Sequence, residues 1–299
     1  MEVEPYLNTM AAPKSWVSAL LGGIIAVLLV TGIVGAAVHI DRSSGRATPV
    51  ALINAAPSKT ADGGTAHFTT SVAITISGLN EGSLMTTGDA DFTNKDSQMT
   101  LSSDGLSSTV RLVSGVEYFQ SSVIPLPNGA QWVKILPQDL GVTATKPSVA
   151  GGGDPTQGLQ FLGSTIGTPT ILGHQNVAGA STTHYSVVFD LASLFARVSQ
   201  AGSTISPSFA QQYEALASKV DLAHIPGNVW LDSAGRVRQF NYTLAFQAAG
   251  VSFSEVATTT FSDFGLPVHV TVPPASETVP FSAVKKEFAQ ALSPPGAVA

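Results

Sequence analysis

The sequence has 299 residues, a formal net charge of −6 and only 11% charged residues, and it contains no cysteine. Without thiols, the chain has no disulfides, thiolate metal sites or cysteine nucleophiles. Its Lys and Arg residues form no cluster beyond Lys285-Lys286, so no basic surface is available for nucleic acid. Gly, Ser, Thr, Ala and Val dominate, a composition that favours β-structure over a helical bundle.

Residues 16–38 form an uncharged apolar segment, WVSALLGGIIAVLLVTGIVGAAV. As a helix it would rise about 34 Å, enough to cross a hydrocarbon core of about 30 Å. A cleaved signal peptide is the alternative, since Gly35-Ala36-Ala37 offers small residues, but secretory apolar cores usually run only about 7–15 residues. The segment therefore predicts an uncleaved transmembrane anchor helix, preceded by a short cytoplasmic segment at residues 1–15.

The remaining boundaries follow from breaks in hydrophobic periodicity. Residues 39–64 are predicted to be a linker, because Ser, Gly and Pro interrupt any regular pattern there. Residues 65–280 are predicted to form one folded domain. Residues 281–299 are predicted to be a C-terminal tail with a short helix over 282–292. The sparse basic residues flanking the apolar segment leave its orientation open.

Alternating apolar and polar residues within the domain predict many short strands. They are expected near residues 68–76, 84–92, 98–102, 107–113, 116–120, 170–177, 182–189, 229–231, 237–246 and 251–261. Turns are expected at 80–82, 104–105, 114–115 and 178–180, where Asn, Asp, Ser or Ala stands beside Gly. Such short connections force antiparallel pairing, because a parallel crossover needs about a dozen residues or more.

Helical patterns interrupt the strands. Residues 156–165 are a weak candidate helix. Asp190 is placed to cap a helix whose apolar residues recur at helical spacing, and Ser206-Pro207 is a strong start signal for another helix reaching Val220. Helices inside a many-stranded antiparallel sheet define an α+β domain.

The residues that enzymes need are missing or badly spaced. The segment from Gly163 to Gly167 lacks the spacing of a serine-hydrolase nucleophile turn. The six histidines show no metal-ligand spacing, the carboxylates are scattered, and no phosphate-binding or dinucleotide motif occurs. We therefore expect no enzymatic activity, no catalytic residue, no bound metal and no cofactor.

What remains is a large apolar surface on the strands and helices. Most of it must form an ordinary core, but the same residues would suit a cavity for an apolar ligand, and composition does not separate the two readings. The pattern places the following residues toward such a cavity: Leu191, Leu194, Phe195, Val198, Phe209, Tyr213, Leu216, Phe240, Tyr242, Leu244 and Phe246.

Three motifs distinguish these readings. They are GHQNVAGASTTHY at 173–185, followed by Asp190; VWLDSAGRVR at 229–238; and TTFSDFGLPVHVTVP at 259–273. In this order and spacing the chain resembles the LppX/LprG lipoproteins of mycobacteria and related actinobacteria, over about residues 66–275.

The resemblance implies a half-barrel, a curled antiparallel sheet with helices on its concave face, related in shape to the LolA/LolB carriers. It also implies a lipid or glycolipid ligand and an extracytoplasmic domain. Members of that family are tethered through a lipidated cysteine, which this chain lacks. The apolar segment at 16–38 would replace that tether.

Two hypotheses follow. The first is a single-pass, membrane-anchored, extracytoplasmic lipid-binding protein that acts in lipid transfer or envelope biogenesis. The second is a non-enzymatic structural or partner-sensing module of an envelope complex, in which the half-barrel is filled by its own side chains. Lipid that co-purifies with the protein would separate them.

Overall fold

A computed structural model describes residues 48–103, 105–122, 124–140, 159, 161–193, 196, 217–218, 220–248 and 250–286. Among the described residues, the longest helix, α1, spans Pro49–Ala61. The strands are β1 Thr65–Ile76, β2 Leu79–Asp91, β3 Asp96–Ser103, β4 Leu106–Val113, β5 Val116–Ser121, β6 Trp132–Ile135, β7 Thr165–Val177, β8 Ala180–Phe189, β9 Ile225–Asp232, β10 Val237–Ala248, β11 Val251–Ser262 and β12 Thr278–Pro280. Single 3-10 turns lie at Pro127–Gly129, Pro137–Leu140, Phe161–Ser164, Ala275–Glu277 and Phe281–Ala283.

All twelve strands form one open, curled sheet in the order β12-β6-β5-β4-β3-β2-β1-β11-β10-β9-β8-β7. Two meanders, β1 to β6 and β7 to β11, join side by side where β1 pairs with β11. Every pairing is antiparallel except the short parallel contact between β12 and β6. The predicted antiparallel, sheet-dominated domain is therefore confirmed, and each strand expected from the alternating pattern is present.

Tight turns set the register of the hairpins. Ser114-Gly115 and Ala178-Gly179 have positive φ at both residues, which matches the right-handed twist of the flanking strands. The turn predicted at 80–82 is wrong. The chain turns instead at Ser77-Gly78, also with two positive φ angles, and residues 80–82 belong to β2, where the register shifts beside Ile74. An Asn-x-Gly sequence marks a strand bulge here rather than a turn.

Helix α1 shows that residues 49–61 of the predicted linker at 39–64 are helical, whereas residues 39–47 lie outside the described ones. Thr48 caps its first turn by accepting from the Ala51 amide, and Pro49 occupies the first turn, where its missing N–H costs nothing. Ile53, Ala56 and Thr60 are buried. Thr60 Oγ1 accepts from the Val237 amide at 2.9 Å and so ties α1 to the start of β10. Two prolines suggested a linker, but both lie in the helix: Pro49 is in its first turn and Pro57 is within it.

The predicted tail from residue 281 also contributes to the fold. Val284 is fully buried against Val133 and Ile135 of β6. Strands β6 and β12 were not predicted because four and three residues are too few for an alternating pattern to stand out.

The two amphipathic helices predicted after residue 190 lie largely outside the described residues. Asp190 caps the first of them as predicted, with its carboxylate accepting from the Ser193 amide at 2.8 Å. The weak candidate helix at 156–165 lies partly outside the described residues: residue 159 is helical, and Phe161–Ser164 form a 3-10 turn that leads directly into β7. The apolar segment 16–38 also lies outside the described residues, and within the described part no helix has the length and apolarity to span a membrane.

Candidate functional site

One face of the sheet carries most of its buried apolar side chains, and we call it the inner face. In the sheet register, Phe68 of β1 pairs with Phe261 of β11. Phe240 of β10 pairs with Thr259, the next inner-face residue along β11 from Phe261. Buried residues from β1 to β4 and from β8 to β11 form a single hydrophobic cluster on this face. Ile53 and Ala56 of α1 join the same cluster, so α1 covers the end of the inner face where β10 begins.

The opposite end of the inner face is less covered, and we call it the open end. The β1–β2, β3–β4 and β10–β11 hairpins turn there. Several apolar side chains at this end are only half-buried, and we call this set the rim: Ile74, Ile76, Leu84, Leu101 and Phe246. Phe253, opposite Ile76 and Phe246, is buried. Leu106, on the inner face of β4, remains 54% exposed. An apolar surface that runs from a buried core to a solvent-exposed edge is typical of a ligand-binding face.

A carboxyl group lies within this apolar surface. Glu255 of β11 is fully buried, and the strand register places it between Ile74 of β1 and Leu244 of β10. Tyr242 donates its hydroxyl hydrogen bond to Glu255 Oε1 at 3.4 Å, whereas Oε2 has no partner. Burial raises the pKa of Glu255 to about 7, despite the opposing effect of the tyrosine hydrogen bond. Burial and the nearby Glu255 charge also raise the pKa of Tyr242.

The ionisable side chains at the inner-face positions of the described strands include carboxyl groups but no Lys or Arg. Glu117 of β5, opposite Leu112 and Ile135, is the second carboxyl group of this face, and burial raises the pKa of this group to about 7. At the paired positions of the described strands, no Lys or Arg shares a face with Phe68, Glu117 and Glu255. Among the described strands, the inner face therefore has two carboxyls that favour their neutral form and no Lys or Arg beside them.

The described part of the predicted lipid-cavity set lies on this face. Phe240, Tyr242 and Leu244 are buried in the main cluster, and Phe246 belongs to the rim, where its ring packs against Phe253 at 4.7 Å between centroids. Leu191 is buried in the same cluster. The other predicted residues lie outside the described ones: Leu194, Phe195, Val198, Phe209, Tyr213 and Leu216.

The segment that contains those residues departs from the sheet at the open end. Strand β8 ends at Phe189 opposite Ile225, where β9 begins, and the Leu191 amide donates to the Leu222 carbonyl at 2.8 Å. Val220 and Leu222 are buried in the main cluster. The chain therefore leaves and rejoins the sheet at one place, at the level of Leu244 and Glu255.

Sequence reasoning missed Glu255. A single Glu in an alternating strand is ordinarily a solvated residue, and the pattern Val251, Phe253, Glu255, Ala257 is needed to show that it falls on the apolar side. The alternation of β11, which puts Glu255 on the same face as Phe253 and Ala257, is the sequence feature that could have identified it.

The outer face holds an arrangement that resembles a hydrolase relay. His67 Nδ1 lies 2.8 Å from Asp89 Oδ1, and His67 Nε2 lies 3.2 Å from Thr87 Oγ1. The three residues lie on a flat, exposed part of β1 and β2. Strand β2 is paired on both sides, so its amides are not available to stabilise an oxyanion. We assign no hydrolysis to this group. No cluster able to hold a metal ion occurs among the residues that the structure describes.

The three motifs that carry the family resemblance meet in space. Trp230, from the second motif, donates to Gln175 of the first at 2.7 Å and stacks on His184 of the first at 4.2 Å. Phe264, from the third, contacts the guanidinium groups of Arg236 and Arg238 of the second at 4.6 and 4.8 Å.

Asp232 organises the second motif. It binds both guanidinium groups, Arg236 at 2.9 Å and Arg238 at 3.0 Å, and also accepts from the Arg236 amide. Burial alone would raise the pKa of Asp232, but these hydrogen bonds outweigh burial and hold the pKa below its usual value. The motifs thus fix the β9–β10 hairpin and its neighbours, which is a structural role.

Comparison with solved structures returns several similar proteins. The lipoprotein LppX of Mycobacterium tuberculosis is 13% identical, with a TM-score of 0.39 over 73% of this chain and 98% of its own. LprF of Mycobacterium bovis is 14% identical, with a TM-score of 0.42 over 77% and 100%. In structure the chain is similar to lipoproteins of the LppX/LprG family.

A LolA superfamily protein of Nitrosomonas europaea is also similar, at 10% identity and a TM-score of 0.28 over 75% of this chain and 96% of its own. No protein-family model and no curated protein matches the sequence. Because these identities are low and the superpositions incomplete, the functional assignment rests on the residues of the inner face.

Proposed function

We propose that this chain is a lipid-binding protein whose inner face holds the apolar part of a lipid or glycolipid, and that it acts in lipid transfer or envelope biogenesis. The proposal includes a membrane anchor at residues 16–38 and an extracytoplasmic position for the sheet domain. The family resemblance of the three sequence motifs supports this reading.

The observation that carries the proposal is the gradient of burial along the inner face. Phe68, Phe240 and Phe261 are buried near α1, whereas the rim and Leu106 at the open end keep contact with solvent. A domain that used this face only as its core would gain free energy by covering the open end, at about 25 cal/mol for each Å² of apolar surface. A ligand chain that lies along the face would supply that cover.

Two adjacent residues of β2 provide a matched test. Leu84 belongs to the rim, whereas Met85 lies on the outer face and is 48% exposed. We expect Leu84→Asn to remove about 2 kcal/mol of binding free energy, or roughly thirtyfold in affinity, because a leucine contact with the lipid is replaced by a polar group. Met85→Asn should leave lipid binding unchanged.

The measurement is mass spectrometry of lipid retained by the full chain after purification in a non-ionic amphipathic polymer. Wild type and Met85→Asn should carry lipid, and Leu84→Asn should carry much less at equal thermal stability. If the wild-type chain carries no lipid, the proposal is wrong. The structural or partner-sensing module, in which the sheet encloses only its own side chains, would then be the better assignment.

The anchor has its own test. Protease added to intact spheroplasts that express the full chain should digest the sheet domain and leave a short N-terminal fragment protected by the membrane. The expected result follows from an apolar segment of about 23 residues, long enough to span the bilayer as a helix. Digestion of the domain only after lysis would show that it faces the cytoplasm.

A further inference from the structure

The inner face leaves two buried polar atoms without a partner, Glu255 Oε2 and Thr86 Oγ1. Of these, only the carboxyl group of Glu255 can change its charge. We propose that Glu255 is the polar contact of the lipid site, where its acid form donates a hydrogen bond to an uncharged oxygen of the bound amphiphile. This inference rests on the proposed function and adds to it the residue that orients the ligand and the ligand chemistry that the residue accepts.

The position of Glu255 supports this role. It lies at the level of Ile74, which belongs to the rim, so a polar group bound to it would sit near the open end while the acyl chain points toward Phe68 and Phe261. Half-buried Phe246 lies two residues from Leu244, the cross-strand partner of Glu255.

Apart from Tyr242, the described inner-face neighbours of Glu255 provide no polar side chain that could pair with its carboxyl group. Tyr242 of β10 is the one titratable side chain among its described neighbours on the inner face, and it already uses Oε1. Directly beside Glu255, strand β1 presents Val72, Ile74 and Ile76 on the inner face, and β11 itself presents Phe253 and Ala257. A buried acceptor or donor without a hydrogen-bond partner is destabilising, and an incoming ligand oxygen would supply the missing partner.

The same surroundings select against anionic headgroups. No Lys or Arg lies at the inner-face positions of β1, β10 or β11, so a phosphate at this depth would be desolvated without a counter-charge. If Glu255 were ionised, the two negative charges would also repel each other across a medium of low dielectric constant. The site therefore fits an uncharged ester, glycerol hydroxyl or sugar hydroxyl.

Ionisation of Glu255 would convert this donor into a buried charge. Since burial raises its pKa to about 7, the acid form dominates below neutral pH and the anion dominates above pH 8. The bound ligand keeps water away from the carboxyl group and so favours the acid form further. Affinity for an uncharged amphiphile should therefore fall as pH rises through neutrality.

The test compares two probes that share one acyl chain, 1-oleoylglycerol and 1-oleoylglycerol 3-phosphate. Each displaces the uncharged dye Nile red from the full chain in a non-ionic amphipathic polymer, at pH 5.5 and at pH 8.5. For wild type we expect 1-oleoylglycerol to bind about thirtyfold more weakly at pH 8.5 than at pH 5.5, because the fraction of Glu255 in the acid form falls by that factor when its pKa is about 7. The phosphate should bind at least about tenfold more weakly than 1-oleoylglycerol at both pH values.

Three variants separate a direct role from a structural one. Glu255→Gln keeps a donor but cannot ionise, so its affinity for 1-oleoylglycerol should stay near the acid value at both pH values. Tyr242→Phe removes the hydrogen bond that favours the anion, so the binding transition should move to higher pH. Glu277→Gln, a control in the 3-10 turn Ala275–Glu277 outside the inner face, should keep the wild-type pH dependence.

The outcomes distinguish this inference from the proposed function. If wild type binds 1-oleoylglycerol with no pH dependence, or Glu255→Gln retains the wild-type dependence, the role of Glu255 is wrong while lipid binding stands. Equal or tighter binding of the phosphate overturns the preference for uncharged headgroups. If neither Nile red nor 1-oleoylglycerol binds wild type at either pH, the lipid-binding function itself fails.

Discussion

Glu255→Gln should stabilise the domain at pH 8.5 by about 3 kcal/mol and leave its stability at pH 4.5 unchanged. Burial raises the pKa of Glu255 from 4.5 to about 7. The unfolded chain therefore releases this proton before the folded chain does, and the free energy of unfolding falls as pH rises from about 4.5 to about 7. A difference of this size corresponds to about 3 kcal/mol, and a glutamine avoids it because it has no proton to lose.

The measurement is chemical unfolding of delipidated full-length wild type and variant at several pH values, since bound lipid would raise the apparent stability of both by mass action. Glu117 contributes a similar slope in both proteins, because its pKa is also raised to about 7. The double variant Glu117→Gln, Glu255→Gln should therefore give the flattest profile near neutrality. Equal stability of wild type and Glu255→Gln at pH 8.5 would mean that Glu255 is not buried as a neutral acid.

The strands could be predicted from the sequence because their signal is local. In β10, Phe240, Tyr242, Leu244 and Phe246 alternate with polar residues, and the structure places all four on the inner face. Helix α1 could not be predicted so easily, because Pro49 and Pro57 imitate a linker and its stabilising contacts, such as Thr60 to Val237, join residues distant in sequence. Tertiary contacts, rather than local sequence, determine that this segment is helical.

The site was only partly accessible to sequence reasoning. Periodicity identifies which residues share a face, but it does not show which end of the face is covered. That depends on register, which aligns Ile74, Glu255 and Leu244 across three strands. It also depends on α1, which covers the other end. Glu255 became a candidate only once this alignment surrounded it with apolar neighbours.

Close packing of the inner face gives the second large effect, at Gly88 of β2. A Cβ atom added there would lie 2.3 Å from the Gln98 carbonyl oxygen and 2.8 Å from Met99 Cα, both backbone atoms of β3. These atoms cannot move without separating β2 from β3. We therefore expect Gly88→Ala to reduce the free energy of unfolding by about 3 kcal/mol, at the upper end of the usual cost of overpacking.

Gly82 of the same strand provides the matched control for Gly88, because a Cβ atom there would meet nothing within 4 Å and its backbone is not left-handed. Gly82→Ala should change stability by no more than about 0.5 kcal/mol. Chemical unfolding of the delipidated chains measures both effects. If the two alanine variants are equally stable, β2 and β3 can separate locally at little cost. The description of β2 and β3 as rigidly and closely paired at the centre of the inner face would then be wrong.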